Sequence, residues 1–206
     1  MKEKIVIGSR ARSRAPEMIK LLEEKGYKLE MNPFDRTMTE DELVKCIRGA
    51  SGMVAGSDKV TRRVLEEGSP TLKIVAKQGV GYNTIDIEAA KQLNIAVTIT
   101  PGANSQSVAE LSIGLMLSAA RNISSMDRAV RCGKWYRHTG TELGGKILGI
   151  VGMGHIGGKV AKRAHAFGMQ ILAYDVYPRQ EFIDLYKVQY VDLDTIFKEA
   201  DFVSLH

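Results

Sequence analysis

Three glycines, Gly152, Gly154 and Gly157, have the spacing G-x-G-x-x-G and lie between an apolar run at 147–151 and a helical pattern. In this setting the first glycine allows a tight turn, the second lets the backbone approach a ligand closely, and the third lets the helix pack against the strand. The amino end of the helix then presents unpaired N–H groups and a partial positive charge to an anion. The spacing therefore predicts a cradle for the pyrophosphate of a dinucleotide.

An acidic residue follows at the distance expected for the same kind of site. Asp175 comes eighteen residues after the last glycine, at the end of the next predicted strand. Its carboxylate is expected to accept hydrogen bonds from the ribose hydroxyls and to repel a 2′-phosphate, which favours NAD over NADP as the cofactor. Arg179, four residues further on, carries a charge that would weaken this preference. His155 and Ile156 complete the glycine loop, and both are predicted to border the cofactor.

A second glycine-rich turn, at Gly79, Val80 and Gly81, follows another predicted strand. Glycines allow backbone N–H groups to converge on one point, and such a nest suits a carboxylate. Lys77, just before the turn, adds positive charge. The pattern predicts a site for a small organic acid, and a purely structural turn between strand and helix is the alternative interpretation.

Short apolar runs alternate with helical patterns along the first half of the chain. The predicted strands lie at 5–7, 27–31, 52–56, 73–76 and 96–99, and the predicted helices at 16–25, 39–47, 61–67 and 86–93. Thr39 and Glu42 have the spacing of a capping box, which places a helix start at Thr39. Alternation of this kind predicts parallel strands joined by right-handed crossovers.

The alternation resumes after a break at Pro101 and Gly102. Helices are predicted at 105–121 and 126–134, and strands at 147–151, 170–174, 188–190 and 202–205. The helix at 105–121 is apolar on most of its sides, so it is expected to be buried on most of them. The fold class predicted for the whole chain is α/β, with one domain at 1–100 and the first half of a doubly wound domain at 101–206.

Composition excludes several classes of protein. The 206 residues are 44% hydrophobic and 26% charged, which excludes a disordered chain. No apolar run reaches the roughly 18–20 residues of a membrane span, and the first apolar stretch is too short for a signal peptide. Two cysteines, Cys46 and Cys132, exclude a disulfide framework and a four-cysteine zinc site. The sequence predicts a cytoplasmic protein without a metal or a membrane partner.

The net charge of +5 raises the question of a nucleic-acid ligand. Basic residues are nevertheless scattered among acidic ones, without a run of five or six like charges. Two denser basic groups are interpreted as solvated surface, and attraction for an anionic small molecule is the alternative. The groups are Arg10, Arg12 and Arg14, and Arg128, Arg131, Lys134 and Arg137. No nucleic-acid partner is predicted.

Four segments of the sequence resemble those of the D-isomer-specific 2-hydroxyacid dehydrogenases. They are the substrate loop at 77–86, the start of the interdomain helix at 104–110, the glycine loop at 152–157 with Asp175, and a late strand at 200–206. The resemblance implies a flavodoxin-like substrate domain, a Rossmann NAD-binding domain, and NAD-dependent interconversion of a 2-keto acid and a D-2-hydroxy acid. The form of the turn at 79–81 leans towards phosphoglycerate dehydrogenase.

The resemblance also implies catalytic residues that these 206 residues lack. In the family a substrate-binding Arg, a Glu and an acid–base His lie further along than His206. His206 itself matches a strand-end histidine, and it is predicted to border the cofactor. The chain is therefore expected to be a truncated member with turnover near zero, because loss of a general acid–base alone costs about 10²–10⁴-fold in rate.

Two further expectations concern partners. The helix at 105–121 resembles the dimer-forming region of the family, so a homodimer whose interface extends to Trp135 is expected. The alternative to an enzyme is a non-catalytic module that binds NAD and dimerises, such as a corepressor-like sensor.

Overall fold

The computed structural model describes residues 2–8, 15–34 and 36–206. The chain divides into two compact units, residues 1–101 and residues 102–206. The predicted basic group at Arg10, Arg12 and Arg14 lies outside the described residues. Among the helices in the described ranges, none is both long enough and apolar enough to cross a membrane.

The first unit contains a five-stranded sheet. Its strands are β1 (Lys4–Ile7), β2 (Lys28–Met31), β3 (Ala50–Ala55), β4 (Ile74–Lys77) and β5 (Ala96–Thr98). All neighbours pair in parallel, in the order β2-β1-β3-β4-β5. This is the flavodoxin-like order, so the predicted fold class is confirmed for this unit. The direction of winding reverses between β1 and β3, and ligands of open α/β sheets bind at such a switch point.

Four helices accompany this sheet in the described residues. They are α1 (Pro16–Glu24), α2 (Glu40–Ile47), α3 (Arg62–Gly68) and α4 (Ile87–Gln92). The predicted capping box is present, because Thr39 accepts from the Glu42 N–H while the Glu42 carboxylate accepts from the Thr39 N–H at 2.8 Å. Thr61 and Asp86 likewise cap α3 and α4 by accepting from a first-turn N–H. Such caps each stabilise a helix by about 1 kcal/mol.

The core of the first unit lies between the sheet and its helices. Its fully buried members include the strand residues Val6, Met53 and Val75 and the helix residues Leu43, Ile47, Val64 and Leu65. Parallel strands covered by helices have apolar residues on both faces, which explains why the predicted strands are short apolar runs. This packing fixes the carboxyl edge of the sheet, where the glycine turn at 79–81 begins.

The second unit contains a four-stranded parallel sheet. Its strands are β6 (Ile147–Val151), β7 (Gln170–Tyr174), β8 (Gln189–Tyr190) and β9 (Phe202–Leu205), in the order β8-β7-β6-β9. Its helices are α5 (Ser105–Ala120), α6 (Ile123–Arg131), α7 (His155–Ala166), α8 (Gln180–Tyr186) and α9 (Leu193–Glu199). The strand order is the 3-2-1-4 part of a doubly wound sheet, which confirms the predicted partial Rossmann fold.

Three helices of the second unit differ from the sequence prediction. α6 begins and ends three residues earlier than predicted. It ends there because Gly133, just after the C-cap residue Cys132, adopts a left-handed φ of 69°. α8 and α9 were not predicted. For α9 a signal was available, since Asp192 caps it by accepting from the Thr195 N–H at 2.7 Å.

α5 is buried on one side only. Ala109 and Ile113 are buried and belong to the core of the second unit, which α7 shares. Leu111 and Leu115 are 62% and 61% exposed. The prediction that this helix is buried on most of its sides is therefore wrong for the chain by itself, because nothing in the described residues covers the face that carries these two leucines.

Candidate functional site

The glycine loop connects β6 to α7 in a conformation that only glycine permits at two of its positions. Gly152 has a φ of +97°, and a Cβ there would overlap the carbonyl oxygen of His206. A Cβ on Gly157 would overlap the carbonyl oxygen of Gly152. Gly154 is different, since a Cβ there would meet nothing within 4 Å. The first and third glycines therefore serve the packing of the loop, and the second leaves open space above it.

The amino end of α7 faces this loop without a capping side chain. Its N-cap residue is Gly154, which has no side chain to accept a hydrogen bond. The N–H groups of His155, Ile156 and Gly157 donate to no acceptor among the described residues. Unpaired N–H groups and the helix dipole together attract a phosphate. The twelve-residue helix thus presents unpaired N–H groups at the place where the sequence predicts an anion site.

Asp175 lies beside the loop at the end of β7. Its Oδ2 accepts from the Met153 N–H at 2.6 Å, and its Oδ1 accepts from the Tyr177 N–H at 2.8 Å. Two backbone donors fix the orientation of the carboxylate, while each oxygen keeps a further lone pair for a ligand hydroxyl. The Asp175 carboxylate is therefore fixed next to the glycine loop, with free lone pairs that can accept hydrogen bonds from a ligand.

Arg179 contacts Phe182 and Tyr190 and does not contact Asp175. Its guanidinium lies over the ring of Phe182, with 5.8 Å between the central carbon and the ring centroid. Its backbone N–H donates to the Tyr190 hydroxyl at 3.1 Å. In this conformation the arginine does not pair with Asp175, so the negative charge that would repel a 2′-phosphate is left in place.

The residues of the second unit fit a dinucleotide. The crowded glycines at Gly152 and Gly157, the open position at Gly154 and the uncapped start of α7 would hold the pyrophosphate. Asp175 would hold the ribose hydroxyls. All of these features favour the same ligand, a dinucleotide. A turn with only a structural role would need neither the open space at Gly154 nor the fixed carboxylate of Asp175.

His206 lies beside the same loop, directly after β9, the strand that pairs with β6. Its N–H donates to the carbonyl of Val151 at 2.9 Å, and its Nε2 is 2.8 Å from the Ser204 Oγ. Desolvation lowers the pKa of the imidazole below its ordinary value. Burial therefore favours the neutral imidazole. The carbonyl oxygen of His206 lies against Gly152 and leaves no space for a side chain there.

In the first unit, Lys77 is the last residue of β4 and is 9% exposed. Its Nζ donates to the carbonyl of Gly56, which follows β3. The predicted positive charge is thus present at the start of the turn, but one of its donors is used within the protein.

The turn itself differs in one respect from the predicted nest. Gly79, with a φ of +130°, donates its N–H to the Thr100 Oγ1 at 2.9 Å, and the Thr100 N–H donates back to the Gly79 carbonyl at 2.9 Å. The Gly79 N–H is therefore not free, as the nest required. The N–H groups of Val80 and Gly81 donate to nothing among the described residues and remain available.

The sequence analysis missed two residues at this edge of the sheet. Thr100 lies twenty-one positions from Gly79, so no local pattern pointed to it. Asp58 is fully buried, although a turn between a strand and a helix is normally an exposed place for an acid. The only signal for Asp58 was its position just after a predicted strand.

The fold and the glycine loop define a dinucleotide-binding α/β protein. Residues 113–206 match the model of one family, described as D-isomer specific 2-hydroxyacid dehydrogenase, NAD binding domain. A hydroxypyruvate reductase of Thermotoga maritima is 48% identical over 182 residues, which are 87% of this chain and 58% of that protein. These matches support the D-isomer-specific 2-hydroxyacid dehydrogenase family for this chain, and the prediction of NAD as the cofactor is confirmed.

Two further comparisons agree. A D-3-phosphoglycerate dehydrogenase of Methanocaldococcus jannaschii is 44% identical over 194 residues, covering 92% of this chain and 36% of that protein. The crystal structure of a D-isomer specific 2-hydroxyacid dehydrogenase from Polaromonas matches with a TM-score of 0.90 and 30% identity, covering the whole of this chain and 65% of that one. The chain thus spans less than two thirds of the length of these three relatives.

Proposed function

We propose that the protein is an NAD-dependent oxidoreductase that interconverts a 2-keto acid and a D-2-hydroxy acid. The observation that carries this proposal is the glycine cradle with Asp175 fixed beside it by two backbone N–H groups. When bound, the dinucleotide would accept a hydride in its oxidised form, NAD⁺, or donate one in its reduced form, NADH. The chain's own part is to hold the pyrophosphate at the start of α7 and the ribose at Asp175.

The substrate is proposed to bind through its carboxylate at the glycine turn of the first unit. The N–H groups of Val80 and Gly81 would donate to the carboxylate oxygens, and the Lys77 ammonium would add a favourable charge. Gly79 shapes the turn rather than donating to the substrate, because its N–H is bound to Thr100. The form of the turn at 79–81 favours a phosphoglycerate-like substrate, and this is the specificity that we propose for the site.

The acid–base step needs a group that we do not assign within these 206 residues. His138 lies in the segment between α6 and β6, and His165 lies on α7. Neither histidine corresponds to a catalytic residue in the family that the sequence resembles. We therefore propose that the catalytic Arg, Glu and His of the family belong to residues beyond His206, and that the 206-residue chain alone has turnover near zero.

The experiment is a calorimetric titration of the 206-residue chain with NAD and, separately, with NADP, followed by an assay of NADH oxidation with hydroxypyruvate, glyoxylate and pyruvate. Binding of NAD in preference to NADP, without measurable turnover, is the expected result. A chain that binds neither dinucleotide would contradict the proposal. NAD binding that changes the oligomeric state without turnover would favour the sensor alternative.

We also propose a homodimer built on the exposed face of α5 and the segment after α6. Leu111 and Leu115 on α5 and Val130 on α6 are more than half exposed, and Trp135 is 85% exposed. Large apolar side chains exposed on the surface favour a protein interface when they form one patch, and we propose that these four do. Since Cys46 and Cys132 are both free thiols, we place this dimer in the reducing cytoplasm.

A further inference from the structure

The first residue of α7 is a histidine at the edge of the glycine loop. His155 directly follows Gly154, the N-cap residue, and its side chain is exposed. In an α-helix every Cα–Cβ bond tilts towards the amino end, so a side chain at the first residue leans towards the preceding loop. The imidazole of His155 is therefore placed to contact a ligand of this loop.

The ring of His155 is not used within the part of the chain that the structure describes. Histidine rings there form hydrogen bonds at His138 and His206, and the ring of His155 forms none. The other histidine of α7, His165, packs against the ring of Tyr186, with 6.1 Å between the two centroids. Both ring nitrogens of His155 are thus available to a ligand.

The space beside this histidine is open and bordered by donors. A Cβ on Gly154 would meet nothing within 4 Å, and the N–H groups of Ile156 and Gly157 have no acceptor among the described residues. A pyrophosphate that accepts from these N–H groups would lie within reach of a side chain on the first turn of α7. Among the four residues of that turn, His155 alone has a polar side chain.

The charge of the imidazole decides how favourable such a contact is. The positive end of a helix disfavours a cation at its first residue. The two phosphates of a dinucleotide are negatively charged and favour the imidazolium there, because a charged donor and a charged acceptor form a stronger hydrogen bond. Binding of the dinucleotide and of the proton are therefore expected to strengthen each other, since the coupling between two ligands is reciprocal.

Other charged side chains lie on α7 and on the elements packed against it. They include Lys159 and Arg163 on α7, Glu110 on α5, Asp175 after β7, and Arg179, Glu181 and Asp184 on or beside α8. Carboxyl, lysine and arginine side chains ordinarily titrate outside the range from about pH 5.5 to about pH 8. Histidine is the kind of side chain that changes charge within it, and the two histidines beside the loop are His155 and His206.

We propose that the protonated imidazole of His155 donates a hydrogen bond to the pyrophosphate of NAD, and that the affinity for NAD therefore rises as the pH falls from about 8 to about 5.5. The inference rests on the proposed function, in which the pyrophosphate lies at the start of α7. The backbone N–H groups of α7 donate at every pH, whereas His155 adds a contact whose strength depends on the proton.

The test is a calorimetric titration of the 206-residue chain with NAD⁺ at about pH 5.5, about pH 6.5 and about pH 8, which span the usual titration range of histidine. NAD⁺ is expected to bind about three- to fivefold more tightly at the lowest pH than at the highest, the size expected for an ion pair that stays partly exposed. Titrations at the middle pH in two buffers of different ionisation enthalpy should show that binding takes up protons.

Three variants identify the group that takes up the proton. His155→Gln cannot be charged, so its affinity for NAD⁺ should be the same at all three pH values, without proton uptake. His155→Lys is charged throughout and should bind NAD⁺ at the highest pH about as tightly as the parent chain does at the lowest. His165→Gln removes a histidine from an exposed position in the last turn of the same helix and should keep the pH dependence of the parent.

The outcomes separate this inference from the proposed function. If the parent chain binds NAD⁺ equally well at all three pH values, the inference is overturned, while the cofactor site stands. A pH dependence that persists in His155→Gln would also overturn it, by assigning the proton to His206. If no NAD⁺ binds to the parent chain at any pH, the proposed cofactor site itself is wrong, and the inference falls with it.

Discussion

At the level of single residues, Gly157 and Gly154 have different roles in the glycine loop between β6 and α7. A Cβ on Gly157 would overlap the Gly152 carbonyl, whereas a Cβ on Gly154 would meet no protein atom within 4 Å. Gly157→Ala should therefore lower the melting temperature, because overpacking typically costs about 1–3 kcal/mol, and should also abolish NAD binding. Thermal denaturation and calorimetry measure the two effects.

The matched variant is Gly154→Ala. It should leave the melting temperature nearly unchanged and still weaken NAD binding at least tenfold, since the methyl group occupies space that the pyrophosphate needs. Equal melting temperatures for the two variants would show that the loop adjusts around residue 157. Undiminished NAD binding by Gly154→Ala would show that the open position does not face the cofactor.

Asp175 is the second residue whose role the geometry makes testable. Asp175→Asn removes the charge and leaves one carbonyl oxygen where two carboxylate oxygens accept from Met153 and Tyr177. NAD affinity should fall about tenfold, because hydrogen bonds to a charged acceptor are lost, and the preference for NAD over NADP should narrow.

Calorimetric titration with both dinucleotides measures this change. Asp194→Asn, an exposed acid in the first turn of α9, provides the control and should bind NAD like the parent chain. A variant at residue 175 that still prefers NAD over NADP to the full extent would assign the discrimination to a group other than Asp175.

At the scale of elements, the start of α2 contains a charge that responds to acid. Glu42 accepts from the Thr39 N–H and forms a bidentate pair with Arg36, with both N–O distances at 2.8 Å. The Arg36 guanidinium and then the Thr39 N–H lower the pKa of Glu42 from 4.5 to about 2. A carboxyl whose pKa falls on folding stabilises the folded state above its unfolded pKa and loses that effect as the pH drops.

The variant Glu42→Gln should therefore melt a few degrees lower than the parent chain at pH 6, and the difference should disappear as the pH falls from about 4.5 to about 2. Melting curves followed by circular dichroism over this range test the prediction. Arg36→Gln should produce a similar loss at pH 6, and the double variant should lose less than the sum. A difference between Glu42→Gln and the parent that persists at pH 2 would assign the effect to helix capping without the charge.

At the scale of the whole molecule, the exposed face of α5 predicts assembly. Leu115 is 61% exposed, and placing a lysine there would put a charge inside the proposed interface. Leu115→Lys should sediment as a monomer at concentrations where the parent chain is a dimer. Gln106→Lys, at an exposed polar position of the same helix, is the control. If Leu115→Lys sediments like a parental dimer, the interface lies elsewhere, and a monomeric parent would contradict the dimer itself.

The sequence by itself determined the elements and the cofactor loop. Periodicity, helix caps and glycines act over a few neighbouring residues, so the strands at 147–151, 170–174 and 202–205 were predicted with the bounds that the structure has. The capping box of α2 and the order of glycines before Asp175 were visible for the same reason. α8 and α9 escaped prediction, although Asp192 marked the start of α9.

Only the tertiary structure decided which polar groups are free. The Gly79 N–H is used by Thr100, Asp58 and Lys77 meet at Gly56, and Gly152 lies against His206. Each of these contacts joins residues from different strands or turns, and the order and register of the parallel sheets bring them together. A local pattern predicts that a residue can donate or accept a hydrogen bond, whereas the packed chain determines whether a partner has already taken it.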